Sequence, residues 1–180
     1  TDRVITAEDP ALVFHPPVLV VGIGCERGAG ATEVIDLVEK TLADAGLAPS
    51  AVACVVSVDV KADEAAVHAA AAHLAVPARF FAPARLEAET PRLANPSDIV
   101  FVEVGCHGVA EGSALAAVGL DGVLVVTKQK SKRATCAIGR AIAPLDPTEI
   151  GVKRGCLSVV GVGPGSPAWR APAVTKALAA

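Results

Sequence analysis

Val18-Leu19-Val20-Val21-Gly22-Ile23-Gly24-Cys25-Glu26-Arg27-Gly28-Ala29-Gly30 is the stretch on which the fold turns. A continuous apolar run of this length, closed by glycines, suits a strand buried on both faces of a parallel sheet. Gly24–Gly30 then reads as a loop. Beyond it, Val34, Leu37, Val38, Thr41, Leu42 and Ala45 recur three and four apart, the stripe of an amphipathic helix. Thr32 stands where a side chain caps a helix start, and Gly46 where glycine ends one.

Outward from this unit the pattern repeats in kind. Val52–Val60 is strand-like. Asp63 and Glu64 open an Ala-rich helix through Leu74, stopped by Pro77, and Ala78–Phe81 is a short strand. Pro83–Pro96 reads as irregular. Ile99-Val100-Phe101-Val102 has the β-branched character of a strand, although Asn95-Pro96-Ser97-Asp98 is also a helix-start signal. Gly105–Gly108 is a loop, and Val109–Val118 a helix ended by Gly119. Gly122–Val126 is a buried strand running directly into Thr127–Arg133, and Ala134–Ile138 is a further strand. Strands alternating with helices predict an α/β/α sandwich, a three-layer fold on a largely parallel or mixed sheet. Ligands of such sheets sit beyond the carboxyl ends of the strands, so the Gly24–Gly30 loop, the Asp59–Glu64 segment and the Lys128–Ser131 segment are expected to meet at one edge. The divisions expected are an arm over 1–16, the main domain over 17–143, a linker over 144–154 and a second unit beginning at 155.

With 180 residues, 52% of them hydrophobic, the chain has ample core material for one domain. The net charge is -3, Tyr is absent, and there are one Trp and four Phe. That composition disfavours nucleic acid, which needs cations and rings to stack on. No apolar run reaches the ~18 residues of a membrane span, and no signal-peptide pattern opens the chain. The five cysteines form no CxxC pair, which fits reduced thiols in the cytoplasm. Cys54 and Cys136 are expected in the core; Cys25 and Cys106 fall in loops and are expected to be the more reactive. No His/Cys cluster has zinc spacing, so no metal site is expected. The chain lacks Met and begins at Thr1, which reads as a piece of a longer protein.

Four segments carry possible chemistry. Gly22–Gly28 lets backbone approach an anion at a helix start. No Gly-Lys-Ser/Thr follows, so it is not a P-loop, and its last glycine is one place late for a dinucleotide fingerprint; a tight strand-to-helix turn is the plain alternative. Asp59–Glu64 places an acid where a nucleotide enzyme grips ribose, although Lys61 between acids also suits a local ion pair and Asp63 a helix cap. His107-Gly108-Val109-Ala110-Glu111 offers a histidine and a first-turn glutamate, either a general acid or base pair or a surface histidine beside a dipole-favoured acid. Lys128-Gln129-Lys130-Ser131-Lys132-Arg133 concentrates cations in an acidic chain, which implies an anionic ligand, against the alternative of a solvated basic turn.

Taken together, Gly22–Gly28, Asp59–Glu64, Gly108–Glu111 running into Ala114-Leu115, and Lys128–Ser131 leading to Ala134–Ile138 resemble, in order, the CobE/CbiG C-terminal family of cobalamin biosynthesis. The resemblance implies a three-layer α/β/α fold and tips Ser97–Val104 toward a short helix. It implies a precorrin or cobalt-precorrin ligand, a ring fringed with acetate and propionate arms. Gly24, Arg27, Gly28, Asp59, Lys61, Glu64, Gly108, Glu111, Lys128, Gln129, Lys130 and Ser131 are the implied ligand-binding residues, with Glu111, His107 and Lys61 as candidates for catalysis. Longer members open the lactone of cobalt-precorrin-5A and release a two-carbon fragment; short members serve the aerobic pathway. Cobalt would be carried by the ring, and this chain would hold no cofactor of its own. Gly155–Gly165 resembles the opening strand and loop of the tetrapyrrole methylases, with Ala171–Ala180 as their first helix. Such a unit, if complete, would use S-adenosylmethionine. The expectation is a fragment of a hydrolase–methyltransferase fusion that acts with hydrolase and methylase partners. On that view the chain alone does not hydrolyse the lactone.

Overall fold

The computed structural model describes residues 1–5, 12–153, 159–162 and 171–178. Five strands, β1 (Leu19–Cys25), β2 (Val52–Val58), β3 (Ala78–Phe81), β4 (Val123–Lys130) and β5 (Ala134–Arg140), form one sheet in the order β3-β2-β1-β5-β4. β1, β2 and β3 pair in parallel. β5 runs antiparallel to both β1 and β4. The sheet is therefore mixed, and β4 points the same way as β1 and β2. The carboxyl ends of β1, β2 and β4 consequently meet at one edge, as the strand pattern requires.

Helices cover both faces. α1 (Ala31–Asp44) and α2 (Ala65–His73) pack on the face formed by Leu19, Val21 and Ile23. α5 (Val109–Val118) covers the other, where Ala117 and Val118 meet Val20, Cys54 and Val56. α3 (Pro83–Glu87) lies beside α5. This is the three-layer sandwich expected. α5 lies almost on the backbone of β1, because Gly22 has no side chain. A Cβ there would stand 2.0 Å from the Ala110 carbonyl oxygen. Each large aliphatic side chain taken wholly from water in such a core contributes about 1.5–3 kcal/mol.

Several local readings change. Thr32 does not cap α1; the helix begins at Ala31 with Gly30 at the cap position. Gly46 does end it, at φ +62°, with the Leu47 N–H bonded to the Leu42 carbonyl at 2.9 Å, a left-handed C-terminal turn. α2 starts after Glu64, and Asp63 is no cap but an ion-pair partner of Arg27. The direct strand reading of Ile99–Val102 is overturned: Asp98–Val104 is a helix, α4. An extended Ser97 at its start and a left-handed Gly105 at its end outweigh the β preference of the residues between. The strand after Gly122 is not buried. It is the edge strand β4, with one neighbour, and Val123 is 53% exposed. Lys128–Lys130 lie in that strand rather than in a loop.

The segment read as a linker returns to the sheet. The Arg79 guanidinium, nearly buried, donates to the carbonyls of Thr148, Ile150 and Gly151. Phe80 and Val152 exchange two backbone hydrogen bonds at 2.8 Å each. Pro172–Leu178 forms α6. Most of the Gly155–Gly165 segment lies outside the described residues. Among the described residues, no single helix is long and apolar enough to cross a membrane.

Candidate functional site

Three connections at the carboxyl edge of the sheet are tied together by ion pairs that span the chain. Arg27, after β1, donates to the Asp63 carboxylate at 2.6 Å and to the Val60 carbonyl at 2.7 Å. The buried Glu64 carboxylate accepts the Gly28 N–H at 2.9 Å. These bonds join the loops after β1 and β2. Arg133, in the β4–β5 turn, donates to Glu26 at 3.0 Å and to the Arg27 and Gly28 carbonyls at 2.7 and 3.0 Å. Glu33 of α1 accepts the Ser131 hydroxyl at 2.6 Å and the Arg133 N–H at 2.7 Å. The Ser131 hydroxyl, then the Arg133 N–H, holds that carboxyl below its usual value.

Between these loops and the α4–α5 corner lies an open cleft of about 530 Å³. Its floor is Gly24 and Thr135. One wall is largely apolar: Val100 and Val104 of α4, with Gly108, Val109 and Ala110 at the start of α5. Cations flank the cleft: Lys61 comes from the connection after β2 and Lys128, Lys130 and Lys132 from the β4–β5 hairpin, beside the pinned Arg27 and Arg133. Among the described residues, Lys61, Lys130 and Lys132 enter no ion pair. Lys128 is different. Its ammonium donates to the Asn95 carbonyl at 2.6 Å. Burial lowers its pKa, which Glu111 opposes and Lys130 reinforces.

Of the residues expected from sequence, the cleft brings together Gly24, Arg27, Lys61, Gly108, Lys128, Lys130 and Ser131. Strand alternation turns Lys128 and Lys130 into it and Gln129 away, where the amide donates to Thr127 instead. Asp59, Gly28, Glu64, Glu111 and Gln129 are not among its walls. Asp59, the acid a nucleotide enzyme would need at ribose, is exposed outside it.

The catalytic candidates separate. Lys61 lines the cleft. Glu111 is 1% exposed and accepts three hydrogen bonds: from Asn95 N–H at 2.9 Å, the Asn95 side-chain amide at 2.9 Å and Lys128 N–H at 2.8 Å. Burial by itself raises this carboxyl, but those donors outweigh it and hold it below its usual value. Glu111 thus fixes the Asn95 loop to β4 and aims Lys128. His107 lies outside the cleft walls. Its Nδ1 meets both Glu87 carboxylate oxygens at 2.9 Å, and its ring stacks on Phe101 with centroids 4.5 Å apart.

Cys54 and Cys136 are buried as expected, and burial pushes each thiol up to about 12. Cys106 is not the reactive loop thiol anticipated. It is fully buried, and burial raises its pKa. Cys25 lines the cleft, its thiol also raised, by burial and then by Glu64. Sequence reasoning missed Val100, Glu103 and Val104. Their signal, the start pattern at Asn95–Asp98, was masked by a β-branched run. Among the described residues, no group of three or more His, Cys, Asp or Glu side chains is arranged to hold a metal ion.

The fold and the cleft define an α/β domain with an open hollow at the carboxyl edge of a mixed sheet, lined by cations and by an apolar α4–α5 wall. Residues 19–139 match the family model described as cobalamin synthesis G C-terminus, and the chain belongs to that family of cobalamin biosynthesis. It is 57% identical over 120 residues to protein CobE of a Sinorhizobium species, covering 67% of this chain and 78% of that protein. It is 30% identical over 151 residues to the cobalt-precorrin-5A hydrolase of Priestia megaterium, covering 81% of this chain but only 39% of that enzyme. Among solved structures it resembles CobE from the cobalamin (vitamin B12) pathway, with a TM-score of 0.66 and 35% identity over 75% of this chain and 96% of that one. It also resembles the cobalamin biosynthesis protein chiG of Agrobacterium tumefaciens, at a TM-score of 0.54 and 32% identity over 69% of this chain and 99% of that one.

Proposed function

We propose that the cleft binds a precorrin or cobalt-precorrin, with ring carboxylates on the lysines and a ring face against the valines. One observation carries this reading. Lys61 follows β2 while Lys130 and Lys132 belong to the β4–β5 hairpin, and β2 and β4 are three strand spacings apart, about 14 Å at ~4.8 Å each. Cations on both flanks of one hollow match a wide, flat polyanion better than a compact one, whose single anionic group would reach only one flank. Any cobalt comes with the ring. The domain works in the cytoplasm, either as a carrier like stand-alone CobE or as the half of a cobalt-precorrin-5A hydrolase that holds substrate for another domain. Coverage of 39% of the hydrolase supports the second role. The Gly155–Gly165 resemblance supports a methyltransferase fused downstream.

Spectral titration with dicyanocobyrinic acid, a corrin with its peripheral acids free, tests the reading. Replacing Lys61, Lys130 and Lys132 together by Ala should weaken binding about ten- to a hundredfold, at roughly 0.5–1 kcal/mol per exposed charge pair. The amidated ring of cyanocobalamin should bind poorly to both proteins. Equal affinity of the triple variant and the parent chain for the free acid refutes the lysine grip.

A further inference from the structure

The apolar wall of the cleft is its least anchored part. α4 supplies Val100, Glu103 and Val104 to the cleft, yet none of its residues is buried, and Ile99 and Val102 are 74% and 85% exposed. Its carboxyl end is held by Val104, which packs on Val58, Leu86 and Cys106, and it ends at Gly105 with φ +77°, a conformation suited to a pivot. Before its amino end, Asn95 is tied to Glu111 and Lys128; beyond that tie, the first turn of the helix is held by His107. The Ser97 N–H donates to the His107 carbonyl at 2.8 Å. The His107 ring stacks on Phe101, at an interplanar angle of 23°, and its Nε2 lies 3.5 Å from the Asp98 carboxylate. His107 is itself fixed to α3, through Nδ1 and its N–H, both bonded to Glu87 at 2.9–3.0 Å. The His107 side chain thus bridges α4, at Asp98 and Phe101, to α3, at Glu87, and neither Asp98 nor Phe101 lines the cleft.

We propose that His107 is a positioning residue, a latch that sets where α4 stands and hence how closely the apolar wall meets a bound ring. The inference rests on the ligand reading above and deepens it. Glu111 and the lysines place the anionic edge of the ligand; His107 places the surface for its face. Losing the ring loosens α4 between its tie at Asn95 and its pivot at Gly105, while the sheet beneath stays intact.

The test compares the full chain with His107→Ala and His107→Gln, the second retaining a donor for Glu87 without the stacked ring. Hydrogen exchange of the 98–104 amides in the unliganded protein should quicken about tenfold or more in His107→Ala, the loss expected for one charge-assisted hydrogen bond. β1 and β2 should stay protected, and His107→Gln should fall between. Dicyanocobyrinic acid should dissociate about five- to tenfold faster from His107→Ala, with the association rate little changed. A residue that only supported the fold would lower protection throughout and leave the dissociation rate of the folded fraction unaltered. Unchanged exchange in α4, or an unchanged dissociation rate in a variant whose α4 exchanges faster, overturns the latch. If the unmodified chain does not bind the corrin, the ligand reading itself fails, and the role of the latch in binding fails with it. Binding that is lost in the lysine variant but unaffected in His107→Ala sinks the latch alone.

Discussion

Glu111→Ala removes one acceptor from three donors at once. Two belong to Asn95, on an exposed loop where water can replace the lost partner; the third is the Lys128 N–H. A hydrogen bond to a charged acceptor is worth about 1.5–3 kcal/mol. Counting the Lys128 bond in full and each Asn95 bond at roughly half, the loss is about 3–6 kcal/mol at pH 7. Glu111→Gln keeps the shape and one acceptor but turns an N–H₂ toward a donor, and should cost about 2 kcal/mol. The effect also has a pH signature. The folded carboxyl titrates below its ordinary value of 4.5, so between those two values the unfolded chain holds more protons than the folded one. Stability from Glu111 is therefore complete above the ordinary value and is lost as pH falls through the folded value. Urea denaturation at pH 7 and across the acid range measures both. The gap between parent and Glu111→Ala should be widest at neutral pH and close on acidification, with the denaturant slope unchanged. A gap under about 1 kcal/mol at pH 7, or one that does not narrow in acid, refutes the assignment of Glu111 as the tie between the Asn95 loop and β4.

Two further outcomes follow from packing. Gly22→Ala places a methyl group 2.0 Å from the Ala110 carbonyl oxygen, so α5 must lift from β1. A loss of about 2–3 kcal/mol or more is expected by thermal or chemical denaturation, and a neutral result would mean that α5 does not lie on β1. At pH 8, Cys54 and Cys136 should resist alkylation in the native chain, because burial pushes both thiols up to about 12 and the thiolate is the nucleophile. Cys25, half-buried and lining the cleft, should label before either. Mass spectrometry after iodoacetamide treatment reads the order, and early labelling of Cys136 would contradict its place in the core.

Much of the architecture was legible because its signals are local. The apolar spacing over Val34–Leu42 and the glycines at 46 and 119 require only neighbours within one or two turns, and the structure places α1 and α5 accordingly. The shared edge followed from alternation alone. β4 was misjudged because an apolar run looks the same on an edge as in the middle; its single neighbour is a fact of sheet order. The residues of α4 left two readings open: the β-branched run points to a strand, while the start signal at Asn95–Asp98 and the family resemblance point to the short helix that forms, because its ends decide its form.

The residues of the site divide along the same line. Composition and position were enough to mark the lysines after Thr127 and the glycines after Val21, and the four blocks in order pointed to the family. Which side chains remain available to a ligand was settled only by tertiary contacts. Glu33 meets Ser131 across 98 residues and Arg133 meets Glu26 across 107. A carboxylate's role depends on its nearest donor in space, and spacing along the chain carries no information about that. Glu111, Arg27 and Ser131 are committed to holding the loops, and Lys61, Lys130 and Lys132 are the cleft cations that, among the described residues, enter no ion pair.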